Sequence, residues 1–338
     1  MLGVGVIGAG EWGKNHVRVL TELPQANLVQ VCDISASRCH MIERSFGVDT
    51  VEDMDSLLAR DDIDAVCVCT PAATHADVAR AVLEAGKHLL VEKPFALNSP
   101  ACEGLMKLAQ RDRLTLQVGH IFRFDPSVMA LKREIDSGTF GKIYMLHCSR
   151  IGFRTPRQDC GVIFDFAVHD FDTVCLLLGA TPTEISATSS SVLPQTPFED
   201  VAFITLRFPD NILANITVSW LTPRKVREMW LVGETRSAQL DSITPLLNVF
   251  DFDYMAFLES NGYRYDSYGA FRAMRRMGNV SQPYIDQHEP LRLEIEHFLD
   301  CIRTGEKPNT PGEVGVRAVR MAEAALRSAE DRAPVPFP

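Results

Sequence analysis

From residue 1 to about 120, short unbroken apolar runs alternate with stretches whose apolar residues recur every three or four positions. The runs are Leu2–Gly8, Leu28–Cys32, Ile63–Thr70, His88–Val91 and Leu114–Gly119. Runs without polar interruption predict strands buried on both faces. Between them, Glu11–Leu23, Thr74–Ala85 and Ser99–Arg111 carry helical spacing; in the first, Trp12, Val19, Leu20 and Leu23 form the apolar stripe. Strand and helix taken in turn are the βαβ signature of a parallel sheet.

Beyond residue 120 the pattern changes. A helix over Pro126–Asp136 leads into predicted strands at Ile143–Ile151, Thr183–Val192, Val201–Phe208, Ile212–Trp220 and Met229–Val232. Their links are short and rich in turn residues, as at Pro209–Asn211, which predicts an open and mostly antiparallel sheet. One helix, Ala167–Leu178, interrupts the series and ends at Gly179. Residues 250–290 are polar and aromatic, include Arg272, Arg275 and Arg276, and read as a functional loop or lid. Two helices, Glu289–Arg303 and Pro311–Ala329, close the chain. The expected fold is α/β in two domains, 1–121 and 122–338, with the final helices free to pack back on the first.

Composition narrows the function. A length of 338 residues suits two domains, and 46% hydrophobic with 23% charged residues is ordinary for a soluble globular chain. No apolar run approaches the ~20 residues that span a bilayer. The N-terminus lacks the basic segment and cleavage site of a signal peptide. Lys and Arg number 34 against 44 Asp and Glu, and the net charge of −10 argues against nonspecific nucleic-acid binding. Nine scattered cysteines without a CxxC pair indicate neither a zinc site nor a disulfide framework, so no metal and a reducing cytoplasmic setting are expected.

Chemistry begins at GVIGAGEWG, where Gly8, Gly10 and Gly13 occupy the G-x-G-x-x-G positions after a predicted strand and before a helix. Glycine serves there for the tight turn, the approach of backbone to a pyrophosphate, and the packing of helix on strand. The helix start at Glu11 and Trp12 then offers free N–H groups to phosphate. Asp33 ends the next predicted strand about 20 residues past Gly13, placed to hold both ribose hydroxyls and repel a 2′-phosphate. NAD is therefore expected over NADP, a preference that the nearby Arg38 blurs.

Two further motifs lie downstream. VEKPF (Val91–Phe95) falls at the end of a predicted sheet strand, where open α/β sheets bind ligands. FDFAVHDFD (Phe164–Asp172) sets Asp165 and His169 four apart at a helix start, on one face. With the glycine loop and CTPAATH (Cys69–His75), these resemble the Gfo/Idh/MocA oxidoreductases along essentially the whole chain. VGHIFRFDP, GVIFDFAVHDFD, SWLTPRKVRE and EPLRLEIEHFLDCIRTGEKP resemble the UDP-N-acetylglucosamine 3-dehydrogenase subgroup within that family.

The resemblance implies a dinucleotide-binding Rossmann domain followed by a domain for substrate binding and oligomerisation, in a homodimer or homotetramer. It implies oxidation of a sugar C3 hydroxyl to a ketone, which an aminotransferase then uses. His169 would take the hydroxyl proton, Lys93 would hydrogen-bond the reacting oxygen and the nicotinamide ribose, and Asp165 would orient His169 or hold a sugar hydroxyl. Glu92, Thr70, Pro71 and His75 would stand beside the nicotinamide half of the cofactor. His120 and Arg123 would rim the site, and Arg150, Arg154, Arg157 and Arg224 would meet a diphosphate, with Trp220 or Tyr263 stacked on uracil. A free-sugar or inositol dehydrogenase of the same family is the alternative. A non-catalytic NAD-binding sensor is a second, disfavoured by intact Lys93, Asp165 and His169.

Overall fold

The computed structural model describes residues 1–251 and 279–338. Most of the stretch expected as a lid lies outside them, as do Tyr263, Arg272, Arg275 and Arg276. The chain forms two compact units. The first comprises Met1–Phe124, Arg157–Asp172 and His288–Glu323; the second comprises Asp125–Pro156, Thr173–Gln287 and Ala324–Pro338. The first unit thus reaches well beyond the residues 1–121 that the sequence pattern marks out.

In the first unit the chain runs β1 (Leu2–Ile7), α1 (Glu11–Glu22), β2 (Ala26–Cys32), α2 (Ala36–Phe46), β3 (Thr50–Val51), α3 (Met54–Leu58) and β4 (Ala65–Val68). It continues with α4 (His75–Glu84), β5 (His88–Glu92), α5 (Ser99–Asp112) and β6 (Leu116–Gly119). The six strands lie in the order β3-β2-β1-β4-β5-β6, each pair parallel. Strand order reverses at β1, which puts the glycine loop at the topological switch point.

The second unit contributes α6 (Pro126–Asp136), β7 (Ile143–Ile151), most of α7 (Val168–Leu178), β8 (Glu184–Ser190), β9 (Val201–Arg207) and β10 (Leu213–Ser219). Then follow β11 (Val226–Gly233), β12 (Arg236–Asp241), β13 (Leu246–Asp251), β14 (Val280–Ser281) and, near the C-terminus, β15 (Val335–Pro336). Their sheet has the order β14-β13-β12-β11-β7-β10-β9-β8-β15. Only β10 and β7 pair in parallel; every other neighbour is antiparallel. The fold is accordingly α/β, a Rossmann-like parallel sheet and a mixed, mostly antiparallel one.

Two late helices complete the set, α8 (Pro290–Thr304) and α9 (Gly312–Asp331). Leu291, Ile295, Phe298 and Leu299 of α8 are buried in the core of the first unit with Val4 and Val6 of β1 and Val17 and Leu20 of α1. Four apolar residues on one stripe are what this helix has to bury, and the parallel sheet with α1 supplies the surface. The turn leading into α7, Ile163–Ala167, is wound as a π-helix, with Val168 N–H donating to the Ile163 carbonyl.

Candidate active site

The glycine loop has the shape that close backbone approach requires. Gly8 sits at φ +97°, and a Cβ on Gly13 would fall 1.7 Å from the Gly8 carbonyl oxygen. A Cβ on Gly10 would meet no atom within 4 Å. That open space lies at the N-terminus of α1, where Gly10 provides no side-chain cap and the first N–H groups point outward with the positive end of the helix dipole. Glu11 and Trp12 begin the same turn and are exposed. At the end of β2, Asp33 accepts from Ala9 N–H at 2.7 Å and from Ser35 N–H at 2.9 Å. Arg38 Nη1 stands 3.5 Å from the Asp33 carboxylate. An open glycine turn, a free helix start and a fixed carboxylate fit a dinucleotide.

The C-terminal end of β5 carries the next groups. Glu92 accepts from Lys93 N–H at 3.2 Å and pairs with the buried His16 Nε2 at 3.0 Å. Burial opposes the Glu92 charge, but the His16 hydrogen bond together with His16, Lys93 and His75 holds its carboxyl below the usual range. His75 is also buried and braces this turn: Nδ1 lies 2.7 Å from the Pro94 carbonyl and Nε2 2.9 Å from the Thr70 carbonyl. Thr74 Oγ1 donates to Thr70 Oγ1 at 2.9 Å, and Pro71 leads into the same turn. His75 therefore ties the loop after β4 to the turn that presents Lys93.

Lys93 reaches the π-wound turn. Its Nζ donates to the Asp165 main-chain oxygen at 2.7 Å and lies 3.5 Å from Oδ1. Asp165 is fully buried and has a second cation, Arg157 Nη1, at 3.4 Å. Arg157 in turn forks onto Asp159 at 2.8 and 2.7 Å. Burial pulls the Lys93 ammonium below its ordinary pKa; Asp165 pulls it back up, while Arg157 pushes it further down. Four residues past Asp165 comes His169, with the Phe122 ring edge-on to its imidazole at 5.0 Å and 85°. The predicted trio Lys93, Asp165 and His169 thus belongs to one unit. A buried amine of lowered pKa, a paired carboxylate and an imidazole are the groups that proton transfer to or from a hydroxyl requires.

One turn further along α7 the predicted rim residues His120 and Arg123 meet Asp172 and Arg317, two residues that sequence reasoning missed. Asp172 accepts from Arg123 Nε and Nη2 at 2.8 and 2.7 Å and from Arg317 Nη2 at 3.3 Å. Arg123 Nη1 also donates to the Asn309 carbonyl at 3.0 Å. Burial opposes the Asp172 charge, but the Arg123 hydrogen bonds and the charges of Arg123 and Arg317 keep the carboxyl below its usual range. His120 Nδ1 lies 4.0 Å from Asp172, and burial among these cations lowers its pKa to about 4, so the imidazole is neutral. Arg123 and Arg157, expected at the substrate, are committed to carboxylates of their own unit.

The family model described as "Oxidoreductase family, NAD-binding Rossmann fold" matches residues 2–120, and the GFO/IDH/MocA C-terminal domain model matches residues 128–239. The chain belongs to the Gfo/Idh/MocA oxidoreductase family. It is 31% identical over 321 residues to UDP-N-acetylglucosamine 3-dehydrogenase of Acidithiobacillus ferrooxidans, covering 94% of each chain. It is 27% identical to inositol 2-dehydrogenase of Rhizobium meliloti, covering 97% of each. The solved structure of the Acidithiobacillus ferrooxidans enzyme GnnA superposes with a TM-score of 0.82 at 26% identity, covering 98% of each chain. Membership makes this chain an oxidoreductase with an NAD-binding Rossmann domain.

The other residues predicted from the sequence belong to the second unit. Arg150 is buried on β7, Arg154 follows it in a half-buried position, and Arg224 is exposed in the turn before β11. Trp220 is 0% exposed, so it cannot offer a ring face to a uracil; its apolar bulk fills the core instead. Among the described residues no group of three or more His, Cys, Asp or Glu side chains is arranged to hold a metal. Nor, among them, is any helix long and apolar enough to cross a membrane.

Proposed function

We propose that the chain is an NAD-dependent dehydrogenase that oxidises the C3 hydroxyl of a UDP-sugar, UDP-N-acetylglucosamine foremost, to the 3-keto sugar. The observation that carries the chemistry is the joining of Lys93 to Asp165, one helical turn from His169, in the unit that also holds the open glycine loop. The 31% identical relative supports the substrate.

Gly10 and the N-terminus of α1 would hold the pyrophosphate, and Asp33 the adenosine ribose. The fixed Asp33 carboxylate disfavours a 2′-phosphate, so NAD is chosen over NADP. Bound there, the cofactor would supply the hydride acceptor for the carbinol carbon. Lys93 orients the hydroxyl oxygen and stabilises the charge that develops on it, while His169 accepts the hydroxyl proton and later releases it to water. The products are a ketone, a reduced cofactor and one proton. Lys93→Met should leave NAD affinity within about twofold and lower kcat by ~10²-fold or more; turnover retained in that variant would remove Lys93 from the mechanism.

A second reading, a free-sugar or inositol dehydrogenase, is favoured by one observation. Arg157, expected at a diphosphate, already pairs with Asp159 and Asp165, as Arg123 does with Asp172. The deciding measurement is nicotinamide absorbance at near-stoichiometric enzyme with NAD, a ketone trap and, in turn, UDP-N-acetylglucosamine, free N-acetylglucosamine and myo-inositol. Signal from the nucleotide alone supports the first reading; signal from inositol or the free sugar overturns it. A 3-keto sugar nucleotide is also the kind of substrate an aminotransferase takes. A reducing, cytoplasmic setting suits the buried free thiols of Cys67, Cys69, Cys102 and Cys160.

A further inference from the structure

Asp165, His169 and Asp172 are spaced four and three apart, along one face of the α7 entry and its first turn. The backbone of that entry is π-wound, so the regular α ladder does not by itself fix how this face is presented. Side chains grip it at both ends instead. Lys93 and Arg157 hold Asp165 at one end, and Arg123 and Arg317 hold Asp172 at the other.

The second grip is directional. The Arg123 guanidinium donates through Nε and Nη2 to the two oxygens of a carboxylate only 2% exposed, which fixes a plane as well as a distance. The residue before it, Phe122, sets its ring edge-on to His169. The short turn Ile121–Phe124 therefore touches α7 at His169 and at Asp172 through adjacent side chains. Asn309 and Arg317, from the α8–α9 link and from α9, tie the same guanidinium and the same carboxylate to the rest of the unit. A buried ion pair gives little stability over apolar side chains of equal size. What it supplies here is registry between the turn and the helix.

We propose that Asp172 and Arg123, with Arg317 behind them, are positioning residues that set the orientation of the His169 imidazole for proton transfer. The inference rests on His169 being the base, and its test separates the two claims. Asp172→Asn keeps the shape and removes the charge that the fork needs. The expected result is a kcat lowered ~10–100-fold, because small misplacement of a reacting group costs rates of this order. NAD affinity should stay within about twofold, since nothing in the clamp is part of the glycine loop.

The decisive readout is non-additivity. Placed in a His169→Ala background, Asp172→Asn should lower the residual rate by less than about twofold, whereas an independent structural role would lower it by the full factor again. A readout that needs no substrate is the NMR signal of the His169 ring, assigned by its loss in His169→Ala. It should be single in the wild type and shifted or multiple in Asp172→Asn. An unchanged ring signal, or wild-type kcat in Asp172→Asn beside an inactive His169→Ala, overturns the positioning role and leaves the base intact. Full turnover in His169→Ala overturns the base itself. Should Asp172→Asn fail to fold, Arg317→Gln removes only the 3.3 Å contact and should show the same two effects more weakly.

Discussion

A neutral imidazole and a carboxyl that burial pushes toward its protonated form lie in the first unit, and each leaves its own trace in the pH dependence of stability. His120 titrates at about 4 when folded, against an ordinary value of 6.5, because burial and then the cations Arg123, Arg317 and Lys93 outweigh Asp172. Between those values the unfolded chain binds a proton that the folded chain refuses. Stability is therefore complete above about pH 6.5 and falls as pH drops toward 4, by on the order of 3 kcal/mol. His120→Phe should flatten that fall in urea unfolding followed across the range. Glu294 behaves in the opposite sense. Among the described residues neither of its carboxyl oxygens has a hydrogen-bond partner, and burial, with Glu92 nearby, raises its pKa well above 4.5. Folding takes up a proton there, so stability falls as pH rises. Glu294→Gln should raise stability by about 1–3 kcal/mol, more at pH 8 than at pH 5.5. An equal gain at both values would mean the carboxyl is ionised in the fold. Lys93, Asp165 and His169 could be proposed from sequence because each sits in a local pattern, a strand end or one turn of a helix. The pairing of Arg123 could not. Its carboxylate lies 49 residues away and the second partner of that carboxylate, Arg317, a further 145, and no local spacing encodes such a meeting.

Elements were readable in proportion to the contrast of their apolar pattern. The runs that became β1, β4, β5 and β6 are buried almost throughout, which leaves few registers to choose from. The α2 helix buries only Cys39 and Ile42, and β12 only Ala238 and Leu240, too few to stand out from a polar loop. The π turn at Ile163–Ala167 has no sequence mark at all, since its residues would suit an α-helix equally. The glycine loop permits a sharper test. Gly10 has φ −70° and open space at its Cβ position, so Gly10→Ala should keep stability within about 1 kcal/mol while weakening NAD binding at least tenfold. Gly13→Ala would drive a methyl into the Gly8 carbonyl and should cost several kcal/mol or prevent folding. Thermal unfolding and cofactor titration on both variants check the contrast; two equally stable variants would mean that the crossing of β1 and α1 is looser than described.

At the scale of the molecule, the nine-stranded sheet exposes apolar side chains on one face. Phe203 is 55% exposed, Met145 41% and Leu213 39%, on neighbouring strands β9, β7 and β10. Apolar groups this exposed on an open sheet call for cover, and a second copy of the chain is the cover proposed here, as the family resemblance implies. Phe203→Lys should lower the mass found by light scattering to that of one chain, 37.6 kDa, without loss of secondary structure. A wild type already of that mass would dismiss the idea. Sequence pattern located the change from parallel to antiparallel sheet near residue 121, yet it could not show that residues 157–172 and 288–323 rejoin the first unit, because membership is decided by contacts far apart in the chain. The polypeptide passes from one unit to the other at 124, 156, 172, 287 and 323. Neither unit is therefore a module that recombination could lift out with two cuts. A piece ending at residue 121 would inherit the glycine loop and Lys93 but neither Asp165 nor His169. Any piece that keeps both the glycine loop and the proposed proton acceptor must therefore take in residues 157–172 as well.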